Sequence, residues 1–176
     1  MLNLRVATLG DREALRTLID RSARELSKGD YRAEQVEGAL QGAFGVDSQL
    51  IQDGTFFAVE GEAAIVGCGG WSYRRTLFGG DKHAERDSGR LDPRTDAAKI
   101  RAFFIDPAYA RKGIGTLLLE KCESEARQRG FSRVELMSTL PGVRLYSARG
   151  YSGVERVLYE VAPGVAIEFV PMSKQI

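Results

Sequence analysis

Apolar and polar residues alternate over residues 2–7, the period of a half-buried strand. Over 11–28 the period lengthens. Leu15, Leu18, Ile19, Ser22 and Leu26 recur on one face of a helix, and Gly29 follows as a stop. A second, shorter helix is predicted over 32–40. Residues 55–60 are rich in aromatic and β-branched types and read as a strand. The turn residues Glu60, Gly61 and Glu62 lead into an antiparallel partner at 63–75. Gly67, Gly69 and Gly70 lie inside that partner and point to a bulge or a close backbone approach.

The pattern then breaks. Residues 77–97 are polar and turn-rich and predict a long loop or flap, a kind of segment that is usually functional or mobile. An apolar strand follows at 99–105 and ends at Asp106-Pro107. A helix over 114–129 carries Ile114, Leu118, Cys122 and Ala126 on one stripe, and Gly130 closes it. A strand at 133–138, a short helix at 141–149 and a hairpin of 152–161 with 165–172 complete the chain. The predicted class is α+β: a mixed, largely antiparallel sheet of about seven strands with one central βαβ crossover.

Composition adds bounds. The chain has 176 residues, which fits one domain spanning 1–176. Formal net charge is +1, so no overall field gathers nucleic acid, and an anionic ligand must be held by local charge. No apolar run reaches a membrane-spanning length, and the N-terminus lacks a signal pattern; no membrane partner and a cytoplasmic location are expected. Cys68 and Cys122 read as reduced core thiols. With two cysteines and one histidine in no ligand spacing, no metal is expected.

The stretch YARKGIGTLLL sits at the strand-to-helix step of the crossover. A helix start exposes backbone N–H groups without partners and a partial positive charge. Gly113 and Gly115 let the backbone approach a bulky anion, while Arg111 and Lys112 add positive charge. The combination suits a phosphate or pyrophosphate; a plain turn with exposed cations is the bland alternative. The P-loop and dinucleotide-binding glycine patterns are both absent. Glu135 does fall near where a ribose-binding acid would stand, but one domain this size leaves no room for a dinucleotide domain plus a substrate domain.

These residues resemble a known family. FFIDPAYARKGIGTLLL resembles the core motif of the GNAT superfamily of acyl-CoA-dependent N-acetyltransferases, with Ile105, Pro107, Gly113 and Gly115 in register. LYSARGY resembles the family's second signature, filled by Tyr146, Gly150 and Tyr151. Ala110 stands where glutamine or arginine is usual, with Arg111 one residue later, and Thr139 stands where many members carry asparagine. The resemblance implies a GNAT-like sheet with helices on both faces and acetyl-CoA as cosubstrate. It implies that the strand before the corner splays from the next one and that the pantetheine arm lies between them. Phe103, Phe104 and Ile105 would pair with that arm and polarise the thioester carbonyl. Arg111, Lys112, Gly113, Ile114, Gly115 and Thr116 would hold the pyrophosphate, with Thr139 a further cofactor contact. Tyr146 would protonate the departing CoA thiolate after direct attack by the amine.

Other residues keep two readings. His83, the one histidine, reads as a solvated loop residue or as a base. Asp81, Glu85, Asp87 and Asp96 share its loop as a solvated face or as the path of a cationic acceptor. Glu135 and Asp96 are both candidates for the base. Trp71 and Tyr73 flank the acceptor or pack in the core; Arg74 and Arg75 read as a solvated strand end. The acceptor segments, around Tyr31, 77–97 and 162–164, carry no legible code, and a homodimer is left open. The expected activity is N-acetylation of an amine. An acyl-CoA-binding sensor with little transferase activity is the alternative.

Overall fold

A computed structural model describes residues 1–83 and 86–176. The strands are β1 (Asn3–Val6), β2 (Phe56–Glu60), β3 (Ile65–Ser72), β4 (Ala98–Ile105), β5 (Arg133–Thr139), β6 (Val157–Ala162) and β7 (Val165–Gln175). The helices are α1 (Arg12–Leu26), α2 (Ala33–Ala39), α3 (Ser48–Gln52), α4 (Ile114–Gln128) and α5 (Val143–Ala148). The seven strands form one sheet in the order β1-β2-β3-β4-β5-β7-β6. All neighbours are antiparallel except β4 and β5, which α4 connects as the crossover.

Helices lie on both faces, so the sheet separates two cores. On one face Ile114, Leu118, Cys122 and Ala126 of α4 pack against Trp71, Ile100 and Leu136. On the other, Leu15, Leu18 and Ile19 of α1 and Val36 of α2 cover Phe56, Ala58, Cys68 and Ile167. The predicted α1 stripe holds except at Leu26, which is exposed. Cys68 and Cys122 are buried free thiols on opposite faces. Among the described residues no helix is long and apolar enough to cross a membrane.

Three elements differ from the sequence reading. The five-residue α3 was not expected; the Asp47 carboxylate starts it by accepting from Gln49 N–H at 3.0 Å. Ser152 forms only an isolated bridge with Ser173, and β6 begins five residues later than predicted, at Val157. The described part of 77–97 is a loop whose Asp81 and Asp87 are exposed, as expected, but its start is tied to neighbouring backbone rather than free. Gly80 N–H donates to Gly42 O, Asp81 N–H donates to Val46 O, and Asp81 accepts from Ser48.

The decisive feature is where β4 leaves β5. Only Ala98↔Val134 and Lys99↔Glu135 pair, and beyond them the two strands diverge. A bulge accompanies the divergence. The β3–β4 register shifts between Cys68 and Gly70, and Ala102 takes a left-handed φ of 55°. One extra residue in β4 kinks it and increases its twist. The glycines of β3 make room: a Cβ on Gly69 would stand 2.5 Å from the Phe103 ring, and one on Gly67 2.5 Å from Ile114 Cγ2.

Candidate active site

The splay opens a cleft through the sheet, with a cavity of about 70 Å³. Phe103 and Tyr146 wall it on the α4 face, with ring centroids 6.2 Å apart. Phe104 lies on the opposite face with Phe44, their centroids 5.7 Å apart. Ala102 and Phe103 fall in the bulge and have no register partner on β3. Asp106 N–H donates to Val66 O at 2.8 Å, and strand alternation then turns the backbone groups of Phe103 and Ile105 toward the side β5 has left. Ile105 N–H is already engaged there, donating to Ser22 Oγ at 3.2 Å.

The cleft leads to the corner between β4 and α4. Asp106 fixes its entry: the carboxylate accepts from Ala108 N–H at 2.8 Å and pairs with Arg21 at 3.0 Å. Two left-handed residues follow in close succession, Arg111 at φ 62° and Gly113 at φ 84°. Among the described residues, none of the N–H groups of Arg111, Lys112, Gly113, Ile114, Gly115 or Thr116 has an intramolecular acceptor. Successive N–H groups in such a turn form an anion-binding concavity. Arg111 is exposed, and the Lys112 ammonium lies 4.8 Å from the Tyr109 ring centroid. Gly113 is needed for its φ, and the place where a Cβ would stand is open. Gly115 serves packing instead, since a Cβ there would stand 2.7 Å from Leu145 Cδ2. The Ile114 side chain is core, so only its backbone faces the corner.

Tyr146 is presented by α5, which begins just after β5 ends. Its ring packs between Phe103 and Tyr151, and its hydroxyl has no hydrogen-bond partner among the described residues. Burial, reinforced by Cys122, pushes its pKa above the ordinary 10.0, so the phenol keeps its proton at neutral pH. Thr139 borders the same cleft, and its Oγ1 accepts from Gly142 N–H at 3.2 Å, capping the turn into α5. The Thr139 hydroxyl hydrogen is left free to donate.

The acetyltransferase (GNAT) family profile matches residues 15–151. The chain belongs to that family. No curated protein matches the sequence. Among solved structures, the chain is similar to a GCN5-related N-acetyltransferase from Rhodopseudomonas palustris, at 19% identity and a TM-score of 0.72, covering 99% of this chain and 95% of that one. It is similar to the PaiA N-acetyltransferase of Thermoplasma acidophilum, solved in complex with coenzyme A, at 14% identity and a TM-score of 0.67, covering 100% and 99%. It is also similar to the ribosomal-protein-S18-alanine N-acetyltransferase of Escherichia coli, at 15% identity and a TM-score of 0.63, covering 100% and 94%. At these identities the likeness is one of fold.

Within this GNAT sheet several candidates leave the site. Glu135 pairs with Lys99 at the closed end of the splay, and it does not line the cleft. Asp96 accepts from Asp92 N–H within its own loop. Trp71 is fully buried under α4, where its Nε1–H donates to Glu125 at 3.1 Å. Tyr73 packs against Trp71 and carries the Arg74, Arg90 and Arg129 guanidiniums on its ring. Arg74 is not a solvated strand end; it makes a close, largely buried pair with Asp53 at 2.7 Å. His83 is buried, stacked near Phe78, with Nδ1 3.2 Å from the Tyr159 hydroxyl. Of the loop carboxylates, Glu85 lies outside the described residues.

The sequence reading missed a buried ion cluster beside the bulge. Arg101 donates to Asp47 at 2.8 Å and to the carbonyls of Gly79 and Thr76. Asp47 also accepts from Arg86 at 2.5 Å. Desolvation lowers the Arg101 pKa against the opposing pull of Asp47. The signal was present: Arg101 is a charge in the middle of an apolar strand, and such a residue is buried only with partners.

Proposed function

We propose that this GNAT-family enzyme moves an acetyl group from acetyl-CoA to a primary amine by direct attack on the thioester, both substrates being bound together. The observation that carries this is the continuity of three parts: a splayed strand pair, a corner of unpaired N–H groups at one end, and the unpartnered Tyr146 hydroxyl in the wall. Acetyl-CoA supplies the acetyl group on a thiol leaving group. The corner residues Arg111, Lys112, Gly113, Ile114, Gly115 and Thr116 fit a pyrophosphate, because their N–H groups need an acceptor and Gly113 leaves the approach open. Phe103, with the Ile105 carbonyl, offers backbone to an extended ligand where β5 offers none, whereas the Phe104 backbone faces β3, paired with Cys68, and Phe104 contributes its ring to the wall instead. An N–H from the bulge directed at the thioester oxygen lowers the barrier by up to about 3–4 kcal/mol. Thr139 adds one donor at the cleft edge. Tyr146 gives its proton to the departing thiolate as the C–S bond breaks, and the proton that the amine nitrogen sheds as the amide forms restores the phenol by way of solvent.

Two measurements on one preparation test the reading. Calorimetric titration with acetyl-CoA should show binding, and thiol release with a panel of amines should show turnover. Binding without any release across the panel would favour a sensor module. Absence of binding would remove the reading altogether.

A further inference from the structure

We infer that the acceptor is a primary amine carried on an aromatic or compact apolar group. The inference rests on the acetyltransferase reading above and names the substrate class of that same cleft.

Phe44, Phe78, Phe104 and Phe169 wall the cleft on the α1 and α2 side. They touch as a group: Phe44 to Phe169 at 6.2 Å and Phe78 to Phe169 at 5.6 Å, with tilted rings. Among the described residues the one charged side chain lining the cleft is Arg101, whose guanidinium is bound to Asp47. No carboxylate among them faces the space. An ammonium entering here gives up its hydration and meets no anion, and ring faces offset only part of that cost. A monoamine carries one charge, which it must lose in any case before it attacks. A second ammonium brought into the same space would keep its charge. An aromatic body gains instead, by burying apolar surface and by edge-to-face contact with the wall.

The wall is formed in advance. Arg101 holds the carbonyls of Thr76 and Gly79, which flank Phe78, and Asp47 ties Arg101 to Arg86 farther along the same loop. Phe44 and Gly45 also line a neighbouring groove of about 560 Å³, where Glu13, Asp20 and Asp81 stand among basic residues beside the apolar Ile19 and Leu40. The preference for an apolar acceptor is therefore a property of the ring-walled cleft and not of that groove.

The test uses the full chain, acetyl-CoA and thiol release, with 2-phenylethylamine and spermidine as probes. Phenylethylamine should be preferred in kcat/KM by about tenfold or more, the scale an apolar pocket provides. Phe44→Leu and Phe78→Leu keep an apolar wall of similar bulk, and each should reduce that preference severalfold with acetyl-CoA affinity within about twofold. Equal or better use of spermidine overturns the inference. So does an unchanged preference in both leucine variants. Thiol release with neither amine by a protein that binds acetyl-CoA overturns the acceptor class and leaves the cofactor site standing. A protein that does not bind acetyl-CoA fails one step earlier, at the reading beneath, and the inference falls with it.

Discussion

The rings of Phe103 and Tyr146 lie 6.2 Å apart across one end of the splay. Phe103 belongs to the bulge of β4, and Tyr146 belongs to the short helix after β5. Two segments more than 40 residues apart therefore meet at the place where the two strands no longer do. A backbone kink and a phenol end up facing the same small space.

Tyr146→Phe keeps the ring contacts and removes only the hydroxyl. If that hydroxyl protonates the leaving thiolate, kcat should fall by about 10²–10⁴-fold, or less because a thiolate leaves readily on its own. Acetyl-CoA affinity should stay within about twofold, because the corner and the strand backbone are untouched. Steady-state kinetics and calorimetry on the same sample separate the two effects. Full kcat in the variant rules out the acid role. Lost affinity with kcat intact makes Tyr146 a binding residue.

Gly113 sits at φ 84° with no neighbouring atom within 4 Å of an added Cβ, so a substitution there meets strain before it meets a neighbour. A non-glycine residue in the left-handed region costs about 1–2 kcal/mol. Gly113→Glu adds a negative charge in the concavity and should abolish acetyl-CoA binding in calorimetry. Gly113→Ala should weaken it by the backbone strain alone. Arg111→Ala should cost less, about 0.3–1 kcal/mol, as expected for an exposed charge at a helix start.

Much of this arrangement was legible in the chain. The change of period at Leu15 and again at Ile114 marked α1 and α4, and the paired glycines marked the corner between β4 and α4. Gly67, Gly69 and Gly70 announced a close approach, which proved to be the bulge opposite Gly69. What stayed hidden depended on contacts distant in sequence. Nothing near His83 shows that it is buried against Phe78 and Tyr159. Nothing in the polar run 77–97 shows that Arg101 and Asp47 pin it down, because its partners come from two other segments. Glu135 read as a free acid only because strand register cannot be read locally, and register is what sets it beside Lys99.

That register makes Glu135 a poor candidate for the base. Glu135→Gln removes the carboxylate charge and keeps the shape. It should leave kcat within about twofold and leave the pH profile of kcat/KM unmoved, since the residue lies outside the cleft. A loss of an ionisation from that profile would return Glu135 to the mechanism.

Asp47 is almost fully buried and serves two guanidiniums, Arg101 at 2.8 Å and Arg86 at 2.5 Å. Asp47→Asn leaves Arg101 buried without its counter-charge. Breaking a buried pair from one side costs about 3–5 kcal/mol, so urea unfolding should show a loss on that scale. Asp11→Asn breaks a more exposed pair with Arg5 and should cost markedly less. Equal losses would show that burial is not what makes the Asp47 cluster matter.

Alkaline stability follows from the buried thiol Cys68 and from Tyr31. Burial raises Cys68 from 9.0 to about 12, and burial raises Tyr31 from 10.0 to about 12 against the pull of its bond from Leu140 N–H. Both groups are neutral when protonated. Above pH 9 the unfolded chain releases the Cys68 proton, while the folded protein holds it. The unfolded state then binds fewer protons, so stability falls as pH rises. The contribution is full below pH 9 for Cys68 and below pH 10 for Tyr31, and it is lost by about pH 12 for both. Each group adds up to about 1.4 kcal/mol per pH unit to the downward slope within its window. Cys68→Ala removes one titrating group from a site that accommodates a small apolar side chain. Its unfolding free energy, measured by urea titration from pH 8 to pH 11, should start lower because methyl-sized packing is lost, and it should then fall less steeply than that of the parent chain. Parallel curves across pH 9–11 would show that the Cys68 thiol ionises alike in both states and would remove it from the alkaline transition.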